Sequence, residues 1–245
     1  IYVIADEQNY HMKVLSLVLG RLGKPYASGL FHLSYGMVDL TTGKMKSREG
    51  TVVDADDLIR DMIETSAAHG EAQGKVKGFS ENELLELHQT IGIGAMKFFL
   101  LRVNPKKRMV FDPEESIDLN GFTAPFIQYA HARIRSILRK EQDAFALMVG
   151  DPGDGPLLPL EKELILVLER YSTMVEEAAR ELDPSVLAVY LYGLAKSFNS
   201  LYAELPISRA ETSRKKILRL QIALATSIVL SRGMGLLGIG VPERM

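Results

Sequence analysis

Cysteine is missing from all 245 residues, which excludes disulfides, thiolate nucleophiles and Cys-ligated zinc. No uninterrupted apolar run reaches the roughly 20 residues that a bilayer-spanning helix needs. The opening IYVIADEQ passes from a strand-like run into a polar one, unlike a signal peptide. Charge of one sign is also missing: 29 Lys and Arg against 31 Asp and Glu leave −2, with a pI near 6.3. That balance argues against indiscriminate binding to nucleic acid, yet it leaves room for a local basic face. The familiar catalytic signatures are scarce as well. The five His form no HExxH or other tight metal spacing, so no metal site is expected. No Gly-x-Ser-x-Gly elbow occurs. GMGLLG (233–238) fits the dinucleotide fingerprint by letter, but it follows a helical stretch, whereas a phosphate-binding turn follows a strand. GIGAMK (92–97) lacks the third Gly and reads as a helix junction. A soluble, cytoplasmic protein is the simplest expectation. A start on Ile, already inside a strand-like run, points to a piece of a longer chain.

What is present begins with 47% hydrophobic residues, enough for one large domain or two ordinary ones. IYVIA (1–5) reads as an interior strand of an α/β sheet. HMKVLSLVLGRLG reads as a helix with Met12, Val14, Leu15, Val18, Leu19 and Leu22 on its apolar side, closed by Gly23 and Pro25. LFHLSYGMVDL reads as one more strand. Strand, helix and strand make half of a nucleotide-binding sheet, with functional loops at the strand ends. VVDADDLIRDMIETSAAHG follows as a helix with acidic residues at its start. SENELLELHQTIGIGAMKFFLLR holds one or two more, with Ser80 and Glu83 spaced as a capping box. NPKKRMVFDPEESIDLNG is a polar connection, and a boundary near residue 116 divides the chain into 1–116 and 117–245. Beyond it, four amphipathic helices are expected to form an antiparallel bundle. The first carries Ile127, Ala130, Ile134, Ile137 and Leu138 as its core stripe. The second runs through PLEKELILVLERYSTMVEEAAREL. The third starts at N-cap Asp183 with Pro184 at its first turn, and the fourth is ended by Gly233.

Three stretches carry chemistry. ADEQNYH follows the first strand and offers Gln, Asn and His at a sheet edge, where small polar ligands bind; a capped helix start explains it equally well. KMKSREG (44–50), after HLSYGMV, packs three cations into a short loop, and a solvated hairpin is its plainer explanation. In QYAHARIRSILRK (128–140), helical spacing puts Tyr129, Arg133, Ser136 and Lys140 on one exposed face opposite the Ile stripe. Interleaved aromatic and cationic groups can stack an unpaired base and hold its phosphate; a basic solvated face is the alternative. RKKILR (214–219) and NPKKR (104–108) are further candidate backbone-contacting patches.

In order and separation these stretches resemble the C-terminal part of a class I arginyl-tRNA synthetase. IYVIADEQNYH is similar to that family's strand and substrate loop. GKMKSREGTVV is similar to its KMSKS loop, GFTAPFIQYAHARIRSI to the opening of its helical anticodon-binding domain, and LLGIGVPERM to its C-terminus. The resemblance implies an α/β plus all-α fold: a partial Rossmann-like sheet with a helical insert, then an antiparallel helical bundle. It implies arginine–tRNA ligase activity, in which ATP, with Mg2+, activates L-arginine to the adenylate before transfer to the 3′ end of tRNA-Arg. Partners would be tRNA-Arg, arginine and ATP, with no membrane, in a monomer. By resemblance Gln8 contacts arginine, while His11, Met37, Val38, Met45 and Ser47 hold the nucleotide. Lys44, Lys46 and Arg48 meet the pyrophosphate. The KMSKS pattern would place Ser at 46 and Lys at 47, whereas this chain has Lys46 and Ser47, so both Lys46 and Arg48 remain candidates for the second cation. Tyr129, Arg133 and Met245 would contact the anticodon. No H-x-G-H stands in the chain, so these residues alone are expected not to activate arginine. A non-catalytic RNA-binding paralogue and a helical protein-interaction module are the competing readings; the module leaves QYAHAR unexplained.

Overall fold

The computed structural model describes residues 1–40, 54–72, 78–142 and 155–245. Strand β1 (Tyr2–Ala5) leads into helix α1 (Asn9–Arg21), and β2 (His32–Tyr35) returns parallel to β1 with Tyr2 opposite His32 and Ala5 opposite Tyr35. The run expected to form one strand is two. After Gly36 and Met37 the chain continues as β3 (Val38–Leu40), which pairs in parallel with β4 (Met109–Phe111). The break has a steric cause. Gly36 N–H donates to the Pro105 carbonyl at 2.7 Å, and a Cβ on Gly36 would lie 2.4 Å from the Lys107 oxygen. Only glycine lets the two backbones meet this closely.

β1 is not an interior strand among the described residues, since Val3 is 63% exposed and β2 is its one partner. The apolar side of α1 is equally open: no residue of the helix is buried, and Leu22 is 63% exposed. Parallel sheets are ordinarily covered on both faces; here α1 touches β2, yet Tyr2, Val3 and Tyr35 stay exposed.

Helix α2 (Ala55–Ala72) and helix α3 (Glu81–Leu101) pack as a hairpin. The expected capping box is present, with Glu83 accepting from Ser80 N at 2.7 Å. α3 is a single helix, so GIGAMK is no junction. Gly92 sits mid-helix because a Cβ there would meet the Met62 carbonyl oxygen at 2.6 Å. α3 serves two cores. Phe99 turns toward Met62, Phe111 and Ile117, the last in the short helix α4 (Pro113–Ile117), while Phe98 enters the bundle.

The bundle comprises α5 (Ala124–Lys140), α6 (Pro159–Glu169), α7 (Tyr171–Glu181), α8 (Pro184–Glu204) and α9 (Ser213–Leu236). All five expected stripe residues of α5 are buried. Asp183 caps α8 through the Ser185 N–H at 2.9 Å, with Pro184 in the first turn. The expected second helix is split into α6 and α7. Val167 O, which a continuous helix would offer to the N–H of Tyr171, receives the Tyr190 hydroxyl at 3.0 Å. Burial pushes that phenol's pKa up to about 12. Helix α9 passes Gly233, where a Cβ would fall 2.5 Å from Leu191 Cδ2, and the chain turns at Gly238 with φ of +69°. Close packing explains the first glycine and the left-handed turn explains the second. α3 and α9 are long and apolar enough to match a membrane span by composition. Each lays its apolar residues into a core instead, Leu87 and Phe98 from α3, Leu220 and Met234 from α9.

Candidate functional site

At the strand ends, Gln8 sits just before α1 and is exposed, as is His11 one turn on. Met37 and Val38 are half-buried where β2 gives way to β3, and the Met37 carbonyl accepts from Met109 N at 3.1 Å. Arg108, just before β4, approaches Asp6 at the end of β1 at 3.8 Å, an ion pair linking the two small sheets that sequence reasoning missed. Lys44, Met45, Lys46, Ser47 and Arg48 lie outside the described residues.

The helical half presents a groove of about 440 Å³ that brings Tyr129, Arg133 and Met245 together, with Ser136 and Lys140 along the same wall. Phe79, Tyr202 and Arg244 complete it. The four α5 residues are less open than expected: only Lys140 is exposed, and Tyr129, Arg133 and Ser136 are half-buried. The reason is that α8 and the C-terminal tail lie against that face. The Arg133 guanidinium stands 4.7 Å from the Tyr129 ring centre and 5.4 Å from that of Tyr202, within cation–π range of both. Nothing in the local pattern of α5 pointed to Tyr202, which is contributed by another helix. Phe79 and Arg244 come together from distant parts of the sequence: Arg244 donates to the Gly78 carbonyl, 166 positions away, and stacks on the Phe79 ring at 4.3 Å.

The tail that delivers Arg244 and Met245 is fixed along its length. Lys97 donates to the Gly238 carbonyl at 2.8 Å, Gln128 to that of Gly240 at 2.8 Å, and Arg139 to that of Glu243 at 3.1 Å. His131 Nδ1 lies 3.1 Å from the Pro242 oxygen. Burial pulls the His131 pKa below its ordinary value, more strongly than the Pro242 bond and the nearby Glu243 raise it. The imidazole is therefore neutral at physiological pH, and its N–H holds the tail without adding charge to the interior.

The other basic patches divide. In RKKILR, Arg219 is fully buried and bound to Glu161 and Glu211, Lys215 reaches Glu161, and Lys216 reaches Glu141, so these three cations serve the fold. Arg214 is exposed. In NPKKR, Asn104 donates to Asp183 at 2.6 Å, while Lys106 and Lys107 face solvent.

Residues 1–112 match the family model for tRNA synthetases class I (R), catalytic domain, and residues 127–245 match that for the DALR anticodon binding domain. The whole chain is 48% identical to the arginine–tRNA ligase of Amoebophilus asiaticus and covers 41% of that protein. It is 47% identical to the arginine–tRNA ligase of Flavobacterium psychrophilum and covers 40% of it. Among solved structures, arginyl-tRNA synthetase of Thermus thermophilus superposes with a TM-score of 0.83 at 30% identity, over 99% of this chain and 40% of that one. The chain thus spans about two fifths of the length of these relatives, their C-terminal part. With a catalytic sheet segment and an anticodon-binding bundle matched in succession, the chain belongs to the class I arginyl-tRNA synthetase family.

Proposed function

We propose that this chain forms part of an arginine–tRNA ligase, with the groove between α5, α8 and the tail receiving the anticodon loop of tRNA-Arg. The observation that carries the reading is the convergence of Tyr129, Arg133, Tyr202 and Met245 on one open groove. It offers aromatic faces for unpaired bases and guanidinium groups for phosphate, the pairing that single-stranded RNA requires. The division at about residue 116 then separates a catalytic segment, 1–116, from a tRNA-reading segment, 117–245.

On the catalytic side, the substrates are L-arginine, ATP and the tRNA 3′ end. Gln8, exposed at the end of β1, can hydrogen-bond the amino acid without adding charge beside a cationic substrate. His11, Met37 and Val38 border the nucleotide, with Met45 and Ser47. Lys44, Lys46 and Arg48 neutralise charge as pyrophosphate departs; one preorganised donor of this kind is worth ~10²–10³ in rate. Mg2+ would accompany ATP on its phosphate oxygens. The enzyme acts as a cytoplasmic monomer.

The test is kinetic, in the full-length protein that carries this chain. Tyr129→Ala should raise the KM for tRNA-Arg roughly 5- to 150-fold, the loss of ~1–3 kcal/mol of stacking, and leave calorimetric arginine binding unchanged. Equal losses in both would rule the assignment out.

A further inference from the structure

The cations of α5 are not equivalent. Arg135 donates from Nε to Glu243 Oε2 at 2.6 Å, and Arg139 lies 3.8 Å from the same carboxylate. Arg133 is treated otherwise: its Nη1 donates to Asn199 Oδ1 at 2.6 Å, and among the described residues it forms no ion pair with a carboxylate. A guanidinium has only donors, so the oxygen of the Asn199 amide must be the atom that faces it. The bond crosses from α5 to α8, where Asn199 is half-buried one turn before Tyr202. The guanidinium is thereby fixed near two rings, by a partner that carries no charge.

We infer that Asn199 is a positioning residue that holds Arg133 between Tyr129 and Tyr202 while leaving its positive charge uncancelled for an unpaired, phosphate-bearing nucleotide. The inference rests on the groove being an RNA interface. A carboxylate at the same place would fix the guanidinium at least as firmly, but it would spend the charge inside the protein. Neutral orientation and charge cancellation are therefore separable by one atom, oxygen for nitrogen.

The experiment uses the full-length protein and, as probe, a 17-nucleotide hairpin RNA with the anticodon-arm sequence of tRNA-Arg, titrated at several salt concentrations. Asn199→Asp should weaken binding at least ~10-fold and flatten the log Kd against log salt slope by about 0.7, one counterion-releasing contact fewer. It should thus match Arg133→Ala. Asn199→Ala, which frees Arg133 without discharging it, should weaken binding less and keep the wild-type slope. Wild-type affinity and slope in Asn199→Asp, alongside a loss in Arg133→Ala, would overturn the role of Asn199 and spare the interface. An indifferent Arg133→Ala, or a hairpin that the wild type does not bind, would overturn both. Should Asn199→Asp fail to fold, judged by melting, Asn199→Ala decides: a loss with unchanged slope supports the inference, and wild-type binding refutes it.

Discussion

Arg219 donates from Nε to Glu161 Oε1 at 2.9 Å, and neither side chain has any exposed surface. The pair ties α9 to α6 and is satisfied on every side. Arg219 also donates to the Pro206 carbonyl at 3.0 Å and to Glu211 at 2.8 Å, and Leu158 N–H reaches Glu161 at 2.9 Å. Burial raises the Glu161 pKa, but the bonds from Lys215, Leu158 and Arg219 outweigh it and leave the carboxyl below its ordinary value. Removing Arg219 leaves the buried Glu161 carboxylate to Lys215 and the Leu158 N–H, and takes away the guanidinium partner of Glu211. Arg219→Ala should destabilise the bundle by roughly 3–5 kcal/mol, measured by urea unfolding. A loss under about 1 kcal/mol would show that the pair is not needed.

Two mid-helix glycines should respond in opposite senses. Gly92→Ala forces a Cβ to 2.6 Å from the Met62 carbonyl oxygen, an immovable backbone atom, and overpacking of this kind costs about 1–3 kcal/mol. Gly193, inside α8, has nothing within 4 Å of its added Cβ. Gly193→Ala should stabilise by up to ~1 kcal/mol through helix propensity. Equal melting shifts would contradict the packing described at the α2–α3 hairpin.

Acid should loosen two seams, the one where His88 of α3 meets α2 and the one where His131 of α5 holds the tail. Burial lowers the pKa of His88, opposed by nearby Glu71, and burial likewise dominates at His131, where Glu243 pulls up and Arg135 pulls down. For each, the unfolded chain takes up its proton first, near 6.5. Stability is then full above that value and falls as pH drops through it toward the lower folded pKa values. The melting temperature should decline between about pH 7.5 and 5.5. The decline should be smaller in His88→Leu combined with His131→Asn; an unaltered slope in that double variant would refute the assignment.

What could be read from the residues alone was mostly local. The Ile127-to-Leu138 stripe, the Ser80–Glu83 box and the Asp183–Pro184 start each depend on neighbours a turn or less apart, and each is present. What could not be read depends on partners distant in sequence. RKKILR looks like a solvated patch until Glu161, 58 residues before Arg219, is seen against it. Periodicity marks an apolar α1 stripe but cannot say what covers it: Met12 and Leu19 are half-buried, while Val14, Leu15, Val18 and Leu22 stay exposed. At the groove, α5 announced Tyr129 and Arg133, while Asn199, Tyr202 and Arg244 arrive from elsewhere in the fold and carry no marker of their own.

The most direct test of the interface is a nucleotide-resolution chemical footprint of tRNA-Arg bound to the full-length protein, with and without Tyr129→Ala. Protection of the anticodon loop in the wild type, selectively lost in the variant while acceptor-end protection persists, is the predicted result. An anticodon loop equally reactive free and bound, or protected to the same degree in the variant, would contradict it.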